Sequence, residues 1–182
     1  MPKVLVPLAQ GCEELEAVTI IDILRRANVE VVTAGLDGKP VKASRGVTLV
    51  PDTTLDEALR AKDYDMVALP GGMPGADHLG ADKRLTALLV EMAGAGKFVA
   101  AICAAPKVLA QAGLLDGKRA TSYPTMLEPF AKVKNTGAPV ERDGNILTGR
   151  GPGTAMDFAL ALVEALCGKS VRDKTEQPLV RP

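Results

Sequence analysis

The chain has 182 residues, and its 22 lysines and arginines are balanced by 22 aspartates and glutamates, so the formal net charge is zero. A chain of this length fits one domain with a substantial core, which we expect to span residues 1–182. Balanced charge without a basic run disfavours nucleic acid and anionic membrane surfaces as partners.

The number and spacing of the cysteines and histidines bear on the redox compartment of the protein and on the kinds of site it can form. The three cysteines, Cys12, Cys103 and Cys167, are widely spaced and odd in number, which disfavours a disulfide framework and favours reduced thiols. No CxxC pair is present and His78 is the single histidine, so we expect neither a zinc-type metal site nor a Cys-His triad. The apolar runs are too short for a membrane span and no signal peptide precedes the first strand, so we expect a cytoplasmic protein.

The first half of the chain alternates short apolar runs with amphipathic segments. In the first of these segments, apolar residues recur at the spacing of one helix face. Strands are predicted over residues 4–8, 30–34 and 66–69, helices over residues 15–27 and 55–60, and a hairpin or an extended excursion over residues 41–50. The third strand leads into the glycine-rich loop PGGMPG.

The second half continues the alternation. Its predicted elements are a helix with Leu85, Leu88, Leu89 and Met92 on its core face, a strand at Phe98–Ile102, a helix at Pro106–Gln111, strands over residues 120–122 and 146–148, and a last helix that begins near Ala155. Strands that alternate with amphipathic helices predict an α/β fold, in which a mostly parallel sheet is covered by helices on both faces. Ligands bind at the carboxyl ends of the strands in such a sheet.

Cys103 lies where the Phe98–Ile102 strand turns directly into a helix. A strand that meets a helix in this way holds the turn residue on a strained backbone and points its side chain out of the sheet, as in a nucleophile elbow. The free N–H groups at the helix start favour a thiolate, so we predict an acidic and reactive Cys103. The alternative is that Cys103 is a small apolar core residue.

Two further turns are predicted at the same edge of the sheet. One carries Glu13, Glu14 and Glu16 in the first turn of a helix, where acids are commonly solvated caps, and the spacing alone does not choose which of them enters a cleft. The glycine-rich loop either directs its N–H groups at an oxyanion or is only a tight turn, and it lacks phosphate-loop spacing. His78 follows in the hydrophilic stretch GADHLGAD and is predicted to be solvated.

Four motifs together resemble a known family: GCEELEAV, ALPGGMPGA, AAICAAP and TGRGPGTAMDFALALVEAL. The chain resembles the ThiJ/PfpI superfamily and, within it, the DJ-1 branch, over its whole length. This resemblance implies a flavodoxin-like three-layer α/β sandwich, commonly a homodimer, with a reactive cysteine at a nucleophile elbow.

The resemblance also assigns expected roles to single residues. By motif position, Cys103 matches the reactive cysteine, and Glu16, the third acid of its motif, matches the active-site glutamate. The backbone N–H groups of Gly72 and Ala104 match those that receive an oxyanion. Residues expected beside the pocket or the dimer contact are Arg45, which matches an arginine approaching the partner's site, Arg26 near the dimer contact, Tyr123, Gly151 and Pro152.

Two positions depart from the family pattern. Many relatives have a histidine in the segment where this chain has Tyr123, and an unperturbed phenol is no base near neutral pH. The peptidase branch has a histidine directly after the nucleophile, where this chain has Ala104. Histidine-dependent chemistry and proteolysis are therefore not expected.

The resemblance implies activity on reactive 2-oxoaldehydes such as methylglyoxal, without a cofactor, a metal or glutathione. The reaction would be a glyoxalase III-type conversion to a hydroxy acid, the removal of early glycation adducts, or both. The alternative is a non-enzymatic redox sensor or holdase chaperone that acts through oxidation of Cys103. Both hypotheses require the same thiol, so the sequence does not separate them.

Overall fold

The central sheet has seven strands in the order β10-β11-β7-β6-β1-β2-β5. The structure, a computed structural model, describes residues 1–61 and 63–181. The strands of this sheet are β1 (Lys3–Leu8), β2 (Glu30–Gly35), β5 (Thr53–Thr54), β6 (Met66–Leu69), β7 (Phe98–Ile102), β10 (Val140–Asp143) and β11 (Ile146–Gly149). All pairs are parallel except β10 with β11. The predicted mostly parallel sheet is confirmed.

Helices cover both faces of the sheet. They are α1 (Glu14–Arg26), α2 (Leu55–Ala58), α3 (Gly75–Ala81), α4 (Lys83–Gly94), α5 (Pro106–Gln111), α6 (Ala155–Cys167) and α7 (Lys169–Glu176). The longest of these described helices, α1 and α6, have 13 residues each, and none is long and apolar enough to cross a membrane.

The core is divided into two clusters because successive strand residues point to opposite faces. In β1, Val4 and Val6 pack in the cluster beneath α1 and α6, whereas Leu5 packs in the cluster beneath α3, α4 and α5. Phe158 of α6 and Leu89 of α4 are fully buried in these two layers. Two helical layers around one sheet form the flavodoxin-like three-layer sandwich that the resemblance implied.

Two pairs of short strands lie outside the central sheet. β3 (Val41–Lys42) and β4 (Thr48–Leu49) form an antiparallel hairpin, as predicted for residues 41–50. β8 (Arg119–Ala120) pairs instead with β9 (Lys134–Asn135). The strand predicted over residues 120–122 is therefore shorter and outside the main sheet, because Thr121 donates its backbone N–H to the side chain of Thr148 in β11 and not to a backbone carbonyl.

Besides the two-residue strands β5 and β9, three longer elements were not predicted from the sequence. Val140–Asp143 forms an edge strand although three of its four residues are charged, since it pairs with β11 through a tight turn at Gly144. The stretch GADHLGAD contains helix α3, which buries only one large side chain, Leu79. The predicted last helix is followed by α7, a polar helix with one buried residue.

Candidate active site

Cys103 stands at the junction of β7 and α5 with its backbone in the left-handed region, at φ 64°. This conformation is uncommon for residues other than glycine and is held here by neighbouring hydrogen bonds. The Cys103 N–H donates to the Gly149 carbonyl at 3.0 Å, and the Tyr123 N–H donates to the Cys103 carbonyl at 2.8 Å. The nucleophile elbow predicted from the sequence is present.

Glu16 projects from the first turn of α1 into the space beside Cys103. Its carboxyl group is fully buried, and Oε2 accepts a hydrogen bond from the Gly71 N–H at 2.8 Å. Oε1 has no hydrogen-bond partner in the described part of the chain. A buried carboxyl oxygen without a partner is costly, and such oxygens occur where a side chain must react or bind.

Gly71 is the point at which the two side chains meet. A Cβ atom at this position would lie 2.7 Å from the Cys103 Cβ and 2.8 Å from the Glu16 Oε2. Both distances are too short for real contacts, so the absence of a side chain at Gly71 lets the thiol and the carboxyl group approach each other. The turn at the start of the glycine-rich loop therefore has a specific packing role.

Burial raises the pKa of both ionisable groups of the site. Burial raises the pKa of Glu16 to about 7, opposed by hydrogen bonds with Cys103 and Gly71. Burial also raises the pKa of Cys103 to about 12, and the negative charge of Glu16 acts in the same direction. The N–H groups of Ala104 and Gly72 lower this pKa but do not outweigh burial and the carboxylate. The prediction of an acidic Cys103 thiol was wrong in direction, because the helix-start argument left out both effects.

The two groups share one proton over a wide pH range. Because the pKa of Glu16 is raised to about 7 and that of Cys103 is raised further, the carboxyl group loses its proton first, and one proton remains between the two groups above about pH 7. Near neutral pH the Glu16 carboxylate is therefore able to take up the thiol proton when Cys103 attacks an electrophile. The pair is suited to nucleophilic chemistry with an internal base.

A cavity of about 280 Å³ opens above the elbow. Its lining residues are Glu13, Ser44, Arg45, Gly72, Met73, Cys103, Ala104, Tyr123, Met126 and Pro152. No group of three or more histidine, cysteine or acidic side chains in residues 1–61 and 63–181 is placed to hold a metal ion. The cavity thus joins a nucleophile, backbone N–H donors and one cationic side chain.

The DJ-1/PfpI family model matches residues 2–165, which include every loop that lines this cavity. The chain belongs to the DJ-1/PfpI family.

Three known proteins place the chain within this family. It is 45% identical over 170 residues, 92% of this chain, to Protein DJ-1 homolog B of Arabidopsis thaliana, but it spans only 39% of that relative's length. It is 33% identical over 172 residues, 93% of this chain and 91% of the relative, to the glutathione-independent glyoxalase DJR-1.2 of Caenorhabditis elegans. The structure of oxidized DJ-1 from Toxoplasma gondii superposes with a TM-score of 0.95 at 42% identity and covers 99% of this chain and 98% of the other.

The fold brings most of the predicted site residues of this DJ-1/PfpI protein together. Cys103, Gly72, Ala104, Arg45, Tyr123 and Pro152 line the cavity, and Glu16 lies buried beside Cys103. Gly151 is adjacent, since a Cβ atom there would lie 3.6 Å from the Tyr123 ring. Arg45 lines the cavity of its own chain. Arg26 is outside the cavity, is exposed and pairs with Asp22 at 2.6 Å.

Sequence reasoning missed several residues of the site. Glu13, treated as a solvated acid, caps α1 by accepting the Glu16 N–H at 2.8 Å and lines the cavity. Met73 and Met126 also line it, and no spacing or charge pattern marks either of them. His78 is exposed, as predicted, with its Nδ1 atom 3.0 Å from the Gln10 carbonyl.

Proposed function

We propose that this protein converts reactive 2-oxoaldehydes such as methylglyoxal to the corresponding 2-hydroxy acids without glutathione or another cofactor. The observation that carries the proposal is the buried Glu16 carboxyl group, with one free oxygen, beside the Cys103 thiol at a cavity. The name of the C. elegans relative, a glutathione-independent glyoxalase, supports the same chemistry. Early glycation adducts, which carry related carbonyl carbons, belong to the same proposed substrate class.

In the first step, the Cys103 sulfur attacks the aldehyde carbon while its proton passes to Glu16. A carbon–sulfur bond forms, and the carbonyl electron pair moves onto the oxygen. The N–H groups of Gly72 and Ala104 would stabilise this oxyanion until Glu16 returns the proton. The product is a hemithioacetal on Cys103.

In the second step, Glu16 acts on the hydrogen of the former aldehyde carbon. The carboxylate removes it as a proton, the electron pair forms a carbon–carbon double bond, and the neighbouring carbonyl oxygen takes over the hydroxyl proton of the former aldehyde oxygen. Return of the proton to that neighbouring carbon gives a thioester of the 2-hydroxy acid. The aldehyde carbon is oxidised and the ketone carbon is reduced, so no external oxidant or reductant is needed.

In the last step, water hydrolyses the thioester. Water adds to the thioester carbon, the carbon–sulfur bond breaks, and the sulfur takes back a proton. The 2-hydroxy acid leaves and the Cys103 thiol is restored. For methylglyoxal the product is lactate.

Steady-state turnover of methylglyoxal without glutathione tests the proposal. Cys103→Ser should reduce turnover to background, because a serine hydroxyl is a far weaker acid than a thiol and does not give its proton to the Glu16 carboxylate. Glu16→Gln keeps the shape but cannot accept a proton, so turnover should fall by roughly two to four orders of magnitude. Cys167→Ser and Glu164→Gln, at sites away from the cavity, are the matched controls. Near-normal turnover in either active-site variant would reject its assigned role.

A redox sensor that acts through Cys103 is the second candidate. The structure of oxidized DJ-1 from T. gondii shows that a relative is obtained in an oxidized form. Cys103 is 7% exposed at a cavity, whereas Cys12 is fully buried. This candidate is favoured if the purified protein has no methylglyoxal turnover and peroxide modifies Cys103 before Cys12 and Cys167.

A further inference from the structure

The β3–β4 hairpin is anchored to the start of α1 through a single side chain. Glu14, the first residue of α1, directs its carboxylate into the turn between the two strands. Oε1 accepts the Arg45 N–H at 2.8 Å and the Val47 N–H at 3.4 Å, and Oε2 accepts the Ser44 hydroxyl at 3.1 Å. Three groups of the turn therefore donate hydrogen bonds to one carboxylate.

These contacts determine where the turn lies relative to the cavity. Two backbone bonds, from the Ser44 N–H to the Cys12 carbonyl and from the Gly11 N–H to the Lys42 carbonyl, both 2.8 Å, complete the anchor. Ser44 and Arg45 consequently form one wall of the cavity above Cys103. A hairpin of two-residue strands has little stability of its own, so its position depends on these bonds.

Arg45 brings a positive charge to that wall. Within the single chain, its side chain is exposed, and no carboxylate of the described residues forms an ion pair with its guanidinium. The lining of the cavity also includes Glu13, whose Oε2 is already used to cap α1. A guanidinium without a partner at a cavity mouth is suited to bind a carboxylate or phosphate group of a ligand.

We propose that Glu14 is a positioning residue, which holds the hairpin turn so that Arg45 recognises ligands with a negatively charged group and guides them to Cys103. This inference deepens the proposed function, because it assigns the site a preference for carbonyl compounds that carry a carboxylate or phosphate. Burial alone would raise the pKa of Glu14, but the hydrogen bonds it accepts outweigh burial and lower it. The carboxylate therefore stays ionised at and below neutral pH, and the anchor is present wherever the enzyme works.

Alkylation of Cys103 by a charged and a neutral reagent tests this role without requiring turnover. The ratio of the rate constants for iodoacetate and iodoacetamide is measured by peptide mass spectrometry, which separates Cys103 from the other cysteines. Arg45→Met should lower the ratio by roughly two- to fivefold, the scale of one exposed charge pair. Glu14→Gln should lower it by a similar factor and should have no further effect in the Arg45→Met background.

The sign of the Glu14→Gln effect separates positioning from plain electrostatics. Removal of a negative charge near the cavity would by itself speed the anionic reagent and raise the ratio, whereas a displaced Arg45 lowers it. If Glu14→Gln does not fold, Cys103 reacts with both reagents at altered rates, and the ratio of that variant is not interpretable. The Arg45→Met variant, whose changed side chain is exposed, then tests whether Arg45 guides the anionic reagent. Glu164→Gln is the control for loss of one carboxylate elsewhere.

Hydrogen exchange supplies the second measurement. The Arg45 and Val47 amides should exchange slowly in the wild type and at least tenfold faster in Glu14→Gln, at about the same global stability. An unchanged or raised alkylation ratio in Glu14→Gln, or an unchanged ratio in Arg45→Met, would overturn the inference. If both variants lower the alkylation ratio as expected but the wild type does not turn over methylglyoxal, the proposed reaction is rejected and the role of Glu14 is retained.

Discussion

At the scale of single residues, the site depends on a carboxyl group and a thiol that are buried together. Burial raises the cost of charging both groups, the Glu16 carboxylate adds to the cost of charging Cys103, and the hydrogen bonds around them offset only part of that cost. The result is a pair that holds one proton at neutral pH and can move it between sulfur and oxygen. The acid in the third position of GCEELE is the one that enters the site, as the resemblance implied.

The first prediction concerns the pH dependence of turnover. The reactive form of the pair carries one proton, whether that proton is on sulfur or on oxygen, and it is formed as the pH rises through about 7. Turnover of methylglyoxal should therefore increase with pH and level off above about 8. A pH–rate profile that is flat between about pH 5 and 9 would show that this ionisation is not part of the reaction.

The second prediction concerns stability. In the unfolded chain Glu16 ionises near its ordinary pKa of 4.5, whereas in the folded protein it ionises near 7, so the folded state binds more protons in this interval. The free energy of unfolding should fall as the pH rises from about 4.5 to 7, by about 3 kcal/mol for this group, and stay level above it.

Glu16→Gln removes this titration and is the variant that measures it. Its free energy of unfolding, relative to the wild type, should increase by about 3 kcal/mol between about pH 4 and pH 8. Denaturant unfolding at several pH values gives the difference, with Glu164→Gln as a control for an exposed glutamate. A constant difference across this range would mean that Glu16 is not held in a buried, protonated state.

At the scale of elements, the sequence predicts well wherever burial decides the structure. The strands Met66–Leu69 and Phe98–Ile102 and the helix Pro106–Gln111 have the predicted bounds, because a fully apolar strand or a proline at a helix start leaves few alternatives. β10 and α7 were missed for the opposite reason. Their residues are mostly polar, and they form because β11 and α6 provide pairing and packing surfaces that no local pattern reveals.

The first turn of α1 shows the same limit within one element. Glu13, Glu14 and Glu16 are equivalent in a propensity argument, since each favours the positive end of the helix. In the structure they have three different tasks: Glu13 caps the helix, Glu14 anchors the hairpin, and Glu16 enters the site. Glu13 is a cap, as acids at this position commonly are, whereas Glu14 is not a solvated cap, because the hairpin that it bonds is distant in sequence.

At the scale of the whole molecule, the outer surface of α1 bears on the expected homodimer. Leu15 and Val18 are one helical turn apart and are 51% and 48% exposed, and Val47 of the hairpin, 49% exposed, donates its N–H to Glu14, the residue before Leu15. An exposed apolar patch of this kind commonly marks a protein interface. We therefore propose that the dimer contact includes this patch, Arg26 and the hairpin.

The corresponding prediction is that the protein is a homodimer at micromolar concentration and that Val18→Glu converts it to a monomer. A charge on each side of a twofold contact would face its own copy or lose water without a partner. Sedimentation velocity measures the mass, and circular dichroism confirms that the variant is folded. Glu164→Gln is the surface control. A monomeric wild type would contradict the homodimer. A Val18→Glu variant that stays dimeric would show that the contact lies elsewhere.

The central claim is that Cys103 forms a hemithioacetal that Glu16 then converts. Nuclear magnetic resonance with methylglyoxal labelled at its aldehyde carbon tests it most directly in the Glu16→Gln variant, where thiol addition is slower but still reaches equilibrium and the second step is blocked. We expect a protein-bound hemithioacetal signal in this variant that persists without lactate and is absent when Cys103 is also replaced by serine. No bound signal in Glu16→Gln, or the same signal without Cys103, would contradict it.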